Sequence, residues 1–132
     1  MPVKELVDRF YRELAPNATY DDSMAVFIEE VAEAREAALD VPRVCSPLCQ
    51  CDDAREVRGH LAKELGDLVF TAYGLALMAG IDLDEAAYIV ANDNLKNKVR
   101  AEAGKVQRRG GYRPPSLWPA LVESRHGFEV AH

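Results

Sequence analysis

Apolar side chains recur along the chain at helical spacing, and runs that alternate apolar and polar residues around a tight turn are nearly absent. Leu6, Phe10 and Leu14 share one stripe and predict a first helix over residues 3–14, ended by Pro16 and Asn17. A second helix is predicted from a cap at Asp21, Asp22 or Ser23 to about residue 40, where Pro42 stops it. Residues 41–53, VPRVCSPLCQCDD, read as a loop. Asp53 can cap a long third helix over roughly 54–79, closed by Gly80, and Asp82 or Asp84 opens a fourth over roughly 83–101. After Gly104 the glycine pair 110–111 and the proline pair 114–115 exclude a continuous helix. That stretch reads as an ordered arm with a short turn at 117–122.

Four helices of these lengths predict an all-α fold, a four-helix bundle protomer with an irregular C-terminal arm. The third helix is apolar around most of its circumference from residue 65 to 81, and so short a chain cannot bury it on all sides. Self-association is therefore expected, as a dimer or a dimer of dimers.

Composition narrows the class. At 132 residues the chain fits a single domain, with a helical core at about 3–101 and an arm at 102–132. Hydrophobic residues make up 48% and charged residues 29%, values of a globular rather than a disordered chain. The net charge of −6 argues against general nucleic-acid binding, which needs a basic footprint. The charge is uneven: residues 1–95 carry 8 basic and 19 acidic side chains, residues 96–132 carry 8 and 3. The opening MPVKELVDRF lacks a secretory pattern, and residues 65–81 contain Asp67 and three glycines and fall short of a membrane span. Three cysteines, an odd number, argue against a secreted disulfide scaffold. A cytoplasmic protein with no membrane partner is the expectation.

The sharpest chemical feature is Glu29-Glu30-x-x-Glu33, set within the apolar stretch MAVFIEEVAEA. At about 100° per residue, Glu29, Glu33 and Glu30 fall at about 0°, 40° and 100°, one patch on one helix face. The third helix adds Glu64-x-x-Asp67, its carboxylates about 60° apart, with His60 and Thr71 on the same stripe. Between residues 65 and 81 Asp67 is the only ionisable group besides Tyr73. A carboxylate in such surroundings is costly unless paired, hydrogen-bonded or metal-bound. Acidic runs are usually solvated faces, with Glu64 paired to Lys63 or Arg35. The isolated Asp67 and the matching one-turn spacing on a second helix favour a hard divalent cation instead. Mg²⁺ takes near-octahedral oxygen ligands and keeps waters and substrate phosphates in its shell, and five carboxylates suit two or more ions.

In these motifs the chain resembles the all-α nucleoside triphosphate pyrophosphohydrolases, the MazG-like proteins. Their relatives include dimeric dUTPases and phosphoribosyl-ATP pyrophosphohydrolases. EEVAE (29–33) and ELGD (64–67) match the signature E-E-x-x-E … E-x-x-D. The turn AGIDLDEA and the tail GKVQRRGGYRPPSL resemble those of small phage and bacterial members, and the resemblance spans roughly residues 22–117. It implies Mg²⁺-dependent hydrolysis of a nucleoside triphosphate to the monophosphate and pyrophosphate by water attack at the α-phosphate, with Mn²⁺ able to substitute. By motif position it makes Glu30, Glu33, Glu64 and Asp67 metal ligands, and Glu29 a ligand or a water-activating carboxylate. It leans toward a deoxynucleotide, dGTP or dATP ahead of dUTP, in a bacterial cytoplasm. The chain departs from the pattern in the thirty residues between Glu33 and Glu64, and in its fourth helix. There an Asn followed one turn later by a Lys should face the phosphates, and NDNLKNK offers either Asn94 with Lys98 or Asn92 with Lys96. Phosphoribosyl-ATP hydrolysis, or a non-catalytic helical module holding a structural ion, are the alternative functions.

From Lys96 to Arg113 seven basic residues face one acid, Glu102. An acidic metal site and a basic segment are the two halves that a polyphosphate needs. Lys105, Arg108, Arg109 and Tyr112 are the arm's candidates for phosphate or subunit contact, against a merely solvated tail. Cys45, Cys49 and Cys51 match no standard zinc spacing and read as free thiols. His60 reads as a polar neighbour of Glu64. Trp118, Tyr11, Tyr20 and Phe27 could stack on a base, but such positions more often serve a core or an interface.

Overall fold

The computed structural model describes residues 1–44, 50–100 and 106–108. Four helices carry most of them: α1 (Val3–Glu13), α2 (Tyr20–Val44), α3 (Asp52–Ala79) and α4 (Leu83–Asn97). The all-α class expected from the periodicity holds. α2 and α3 pack along each other, and α1 lies against α3. The buried apolar residues of these two helices are mostly small, Ala34, Ala37 and Val41 on α2 and Ala54 and Ala76, with Met78, on α3. Among the described residues, no helix is long and apolar enough to cross a membrane.

The first helix ends where its pattern predicts but buries a different stripe. Leu6, Phe10 and Leu14 remain 48%, 36% and 73% exposed, whereas Val7 and Tyr11 are 1% and 7% exposed. Val7 and Tyr11 join Met78 of α3 in the core, with Phe70, Tyr73 and Leu77 packed against them. The ring of Tyr11 fits because position 74 has no side chain. A Cβ built on Gly74 would lie 2.8 Å from two of the ring carbons.

The caps show how local chemistry sets the boundaries. α2 starts through a reciprocal pair in which the Asp22 amide donates to Thr19 Oγ1 (3.2 Å) and the Thr19 amide to Asp22 Oδ2 (3.1 Å). Thr19 is therefore the cap, in place of Asp21, Asp22 or Ser23. Pro42 lies inside α2 instead of ending it. The amide that proline lacks falls in the last turn, so the helix loses one bond and still continues to Val44. Gly80 ends α3 in the left-handed conformation (φ 68°, ψ 36°), as its position predicts. α4 opens on Asp82, whose Oδ1 accepts from the Glu85 amide at 3.1 Å. The same carboxylate pairs with Lys4 of α1 at 3.5 Å, and the Tyr73 hydroxyl of α3 donates to Asp84, so the start of α4 is tied to both helices.

α4 stops at Asn97, four residues short of its predicted end. Strand β1 (Lys98–Arg100) then pairs antiparallel with β2 (Val106–Arg108), with Lys98 opposite Arg108 and Val99 opposite Gln107. The β-branched Val99 and Val106 suit this ribbon, where the pattern predicted no strand.

Candidate metal and substrate site

Glu30 and Glu33 stand one turn apart on α2, facing Glu64 on α3. One carboxylate oxygen from each of the three lies within 4.8 Å of the others. Glu64 is 5% exposed, an unusual position for a glutamate. Glu30 Oε2 and Glu64 Oε2 are both buried and accept no hydrogen bond from the protein. Burial, with the negative charge and hydrogen bond of Glu33 and the charges of Asp67 and Glu64, pushes the Glu30 carboxyl above its ordinary range.

Two nitrogen-bearing side chains lie against Glu64. Its Oε1 lies 3.3 Å from His60 Nε2 and 3.4 Å from Lys63 Nζ. Lys63 Nζ also pairs with Asp67 Oδ2 at 2.8 Å. Hydrogen bonds to Asp67 and Glu64 raise the Lys63 ammonium above the usual lysine range. The Glu64–Lys63 pairing weighed from the sequence is therefore present, but on a buried glutamate whose other oxygen is unpaired.

Beside the carboxylates lies a cavity of about 390 Å³ between α1, the first half of α2 and the middle of α3. Glu30, Asp67 and Asp22 are among its lining residues, together with the rings of Phe10, Tyr11 and Phe70. Phe70 meets Phe10 edge-on, with ring centroids 5.0 Å apart, and lies nearly parallel to Tyr11 at 6.3 Å. The aromatic wall thus continues directly into the acidic one. Phe10 and Phe70 were not singled out as site residues from the sequence. The available signal is that Phe70 follows Asp67 by three positions and so shares its helix face.

The geometry brings Glu30, Glu33 and Glu64 together and sets Asp67 beside them, at the cavity. Glu29 is exposed and lies outside the three-carboxylate cluster. His60 is the polar neighbour of Glu64 that the sequence suggested. Asn94 is exposed and Asn92 half-buried on α4, Lys96 is exposed, and no described contact links any of them to the carboxylates. Lys98 and Arg108 occupy facing register positions in the ribbon. Lys105, Arg109 and Tyr112, like Cys45, Cys49 and the turn expected at 117–122 with its Trp118, lie outside the described residues. Cys51 is exposed, immediately before α3.

The donor set consists of oxygens alone and carries an excess of negative charge. Two of its buried oxygens are unpartnered within the protein, and a hard divalent cation satisfies both conditions. The residues present fit such an ion.

A family model described as phosphoribosyl-ATP pyrophosphohydrolase matches residues 3–94, which include α1, α2, α3 and most of α4. No curated protein and no solved structure matches the chain.

Proposed function

The chain belongs to the phosphoribosyl-ATP pyrophosphohydrolase family, and on that premise we propose that its carboxylate cluster hydrolyses a nucleoside triphosphate to the monophosphate and pyrophosphate. The family membership makes the chain a pyrophosphohydrolase acting on a nucleotide, and hydrolases of this family generally use divalent metal ions. The observation that carries the finer reading is the continuity of the three facing carboxylates with an aromatic cavity. A nucleotide has the same two ends, an anionic polyphosphate and a flat apolar ring.

In this reading Glu30, Glu33, Glu64 and Asp67 hold Mg²⁺ or Mn²⁺. Such ions, when bound, polarise phosphoryl oxygens and lower the pKa of water. The chain's own residues do the rest. α2 and α3 hold the carboxylates in fixed relation, so no reorganisation is needed when charge develops on the phosphate. Phe10 and Phe70 exclude water from the base and orient it. Glu29, exposed one position before Glu30, can accept a proton from the attacking water. The basic stretch from Lys96 to Arg113 offsets the β and γ phosphates. A second copy of the chain completes the assembly, since Val26, Ile28, Val31, Leu65 and Val69 leave much apolar surface exposed on α2 and α3.

The family description itself favours a second reading, in which the substrate is phosphoribosyl-ATP and the bond cleaved is the same. Hydrolysis of a panel of ribo- and deoxynucleoside triphosphates and phosphoribosyl-ATP in ¹⁸O-labelled water, with Mg²⁺ or Mn²⁺, tests both. The expected products are intact pyrophosphate and a monophosphate carrying the label. Label in pyrophosphate, or release of orthophosphate with a diphosphate, rejects attack at the α position. Turnover of phosphoribosyl-ATP alone selects the second reading.

A further inference from the structure

Lys63, like His60, touches the site but has no role in the proposed reaction. Its ammonium stands 2.8 Å from Asp67 Oδ2 and 3.4 Å from Glu64 Oε1, bridging two carboxylates one turn apart on α3. Glu64 is at the same time one of the three carboxylates gathered with Glu30 and Glu33. We propose that Lys63 is the resident counter-cation of this site: it holds Glu64 and Asp67 when no divalent cation is bound and yields both when one enters. The inference rests on the divalent-metal reading and adds to it a competitor carried by the chain itself.

The physical case is one of charge and cost. Four carboxylates converge on α2 and α3, and a permanent positive charge among them lowers their mutual repulsion in the metal-free protein. The Lys63 side chain is 67% exposed, so its hold is that of a surface ion pair, weak and screened by salt. Its long stem also spends rotamer freedom to keep the bridge. A divalent ion carries twice the charge and spends no such freedom, so it takes over the same oxygens. Arg35 of α2, the other partner weighed for Glu64, pairs instead with Glu36 at 3.6 Å.

The test is Mn²⁺ binding to the full chain, followed by electron paramagnetic resonance of free Mn²⁺, in wild type, Lys63→Met and Lys63→Arg. Removing the competing charge should tighten Mn²⁺ binding by about threefold at low salt. Lys63→Arg keeps the charge and should keep the wild-type affinity. In thermal melts at low salt, metal-free Lys63→Met should be less stable than wild type, and saturating Mn²⁺ should close the difference. Unchanged or weaker Mn²⁺ binding in Lys63→Met, with normal binding by wild type, overturns the proposal and leaves the metal site standing. No Mn²⁺ binding by any of the three proteins rejects the metal site, and the proposal with it.

Discussion

The ring of Tyr11 rests directly on Gly74, where any Cβ would meet it. This contact seats α1 on α3 and places the same ring in the wall of the cavity beside the carboxylates. One glycine in the last two turns of α3 thus connects the packing of the fold to the shape of the site.

Gly74→Ala should therefore destabilise the protein despite the better helix propensity of alanine. Propensity returns up to about 1 kcal/mol, while forcing a methyl into the ring costs about 1–3 kcal/mol. A net loss of about 1 kcal/mol in urea unfolding is expected. Combining it with Tyr11→Leu should recover part of that loss, because the residue that clashes has been removed. Additive losses in the double variant would show that Tyr11 is not the obstacle.

Glu33→Gln and Asp67→Asn each keep the shape of a proposed ligand and remove its charge. Activity should drop by about two orders of magnitude or more, with helix content by circular dichroism unchanged. A variant that retains most of the wild-type rate removes its residue from the metal-binding set.

Glu30 gives the metal-free protein a pH dependence whose sign follows from its raised pKa. The unfolded chain titrates this group near the ordinary glutamate value of 4.5 and the folded chain above that, so the folded state binds more protons in between. This group's contribution to stability therefore falls as pH rises through that window and recovers on acidification toward 4.5. In chelator-treated protein Glu30→Gln should melt higher than wild type at neutral pH, and the gap should narrow as the pH falls. A gap that does not depend on pH would assign the change to packing rather than charge.

Neutralising Lys105, Arg108 and Arg109 together should raise KM for the triphosphate more than it lowers kcat, if these groups bind ground state and transition state alike. Steady-state kinetics at low salt make the comparison. Unchanged kinetics would leave the arm as a solubilising or subunit-contact element.

Leu65→Lys with Val69→Lys should lower the mass seen in sedimentation equilibrium, because both side chains are 47% exposed on one face of α3 in the single chain. Charges there disfavour burial against a second copy. An assembly of unchanged mass would place the contact on another face.

What sequence alone determined about this protein is the content of each helix. Gly80 and Asp82 act within a few positions of the chain, so the four helices and the turn between α3 and α4 were legible, whereas both ends of α2, the start of α3 and the end of α4 lay two or more residues from where their punctuating residues placed them. The spacing of Glu30 with Glu33, and of Glu64 with Asp67, likewise follows from the helical repeat, which fixes angles around one axis. The repeat does not fix how one helix is rotated against another. Leu6, Phe10 and Leu14 are as good an apolar stripe as Val7 and Tyr11, and the choice fell to the second because Gly74 leaves a recess for a ring. The same reasoning covers the site. Tertiary structure alone decided that Glu30 and Glu33 meet Glu64, that Lys63 draws on Asp67, and that Phe10 and Phe70 close a cavity against them. Each of these depends on the relative setting of two helices, which side-chain packing sets and no periodicity within a single helix encodes.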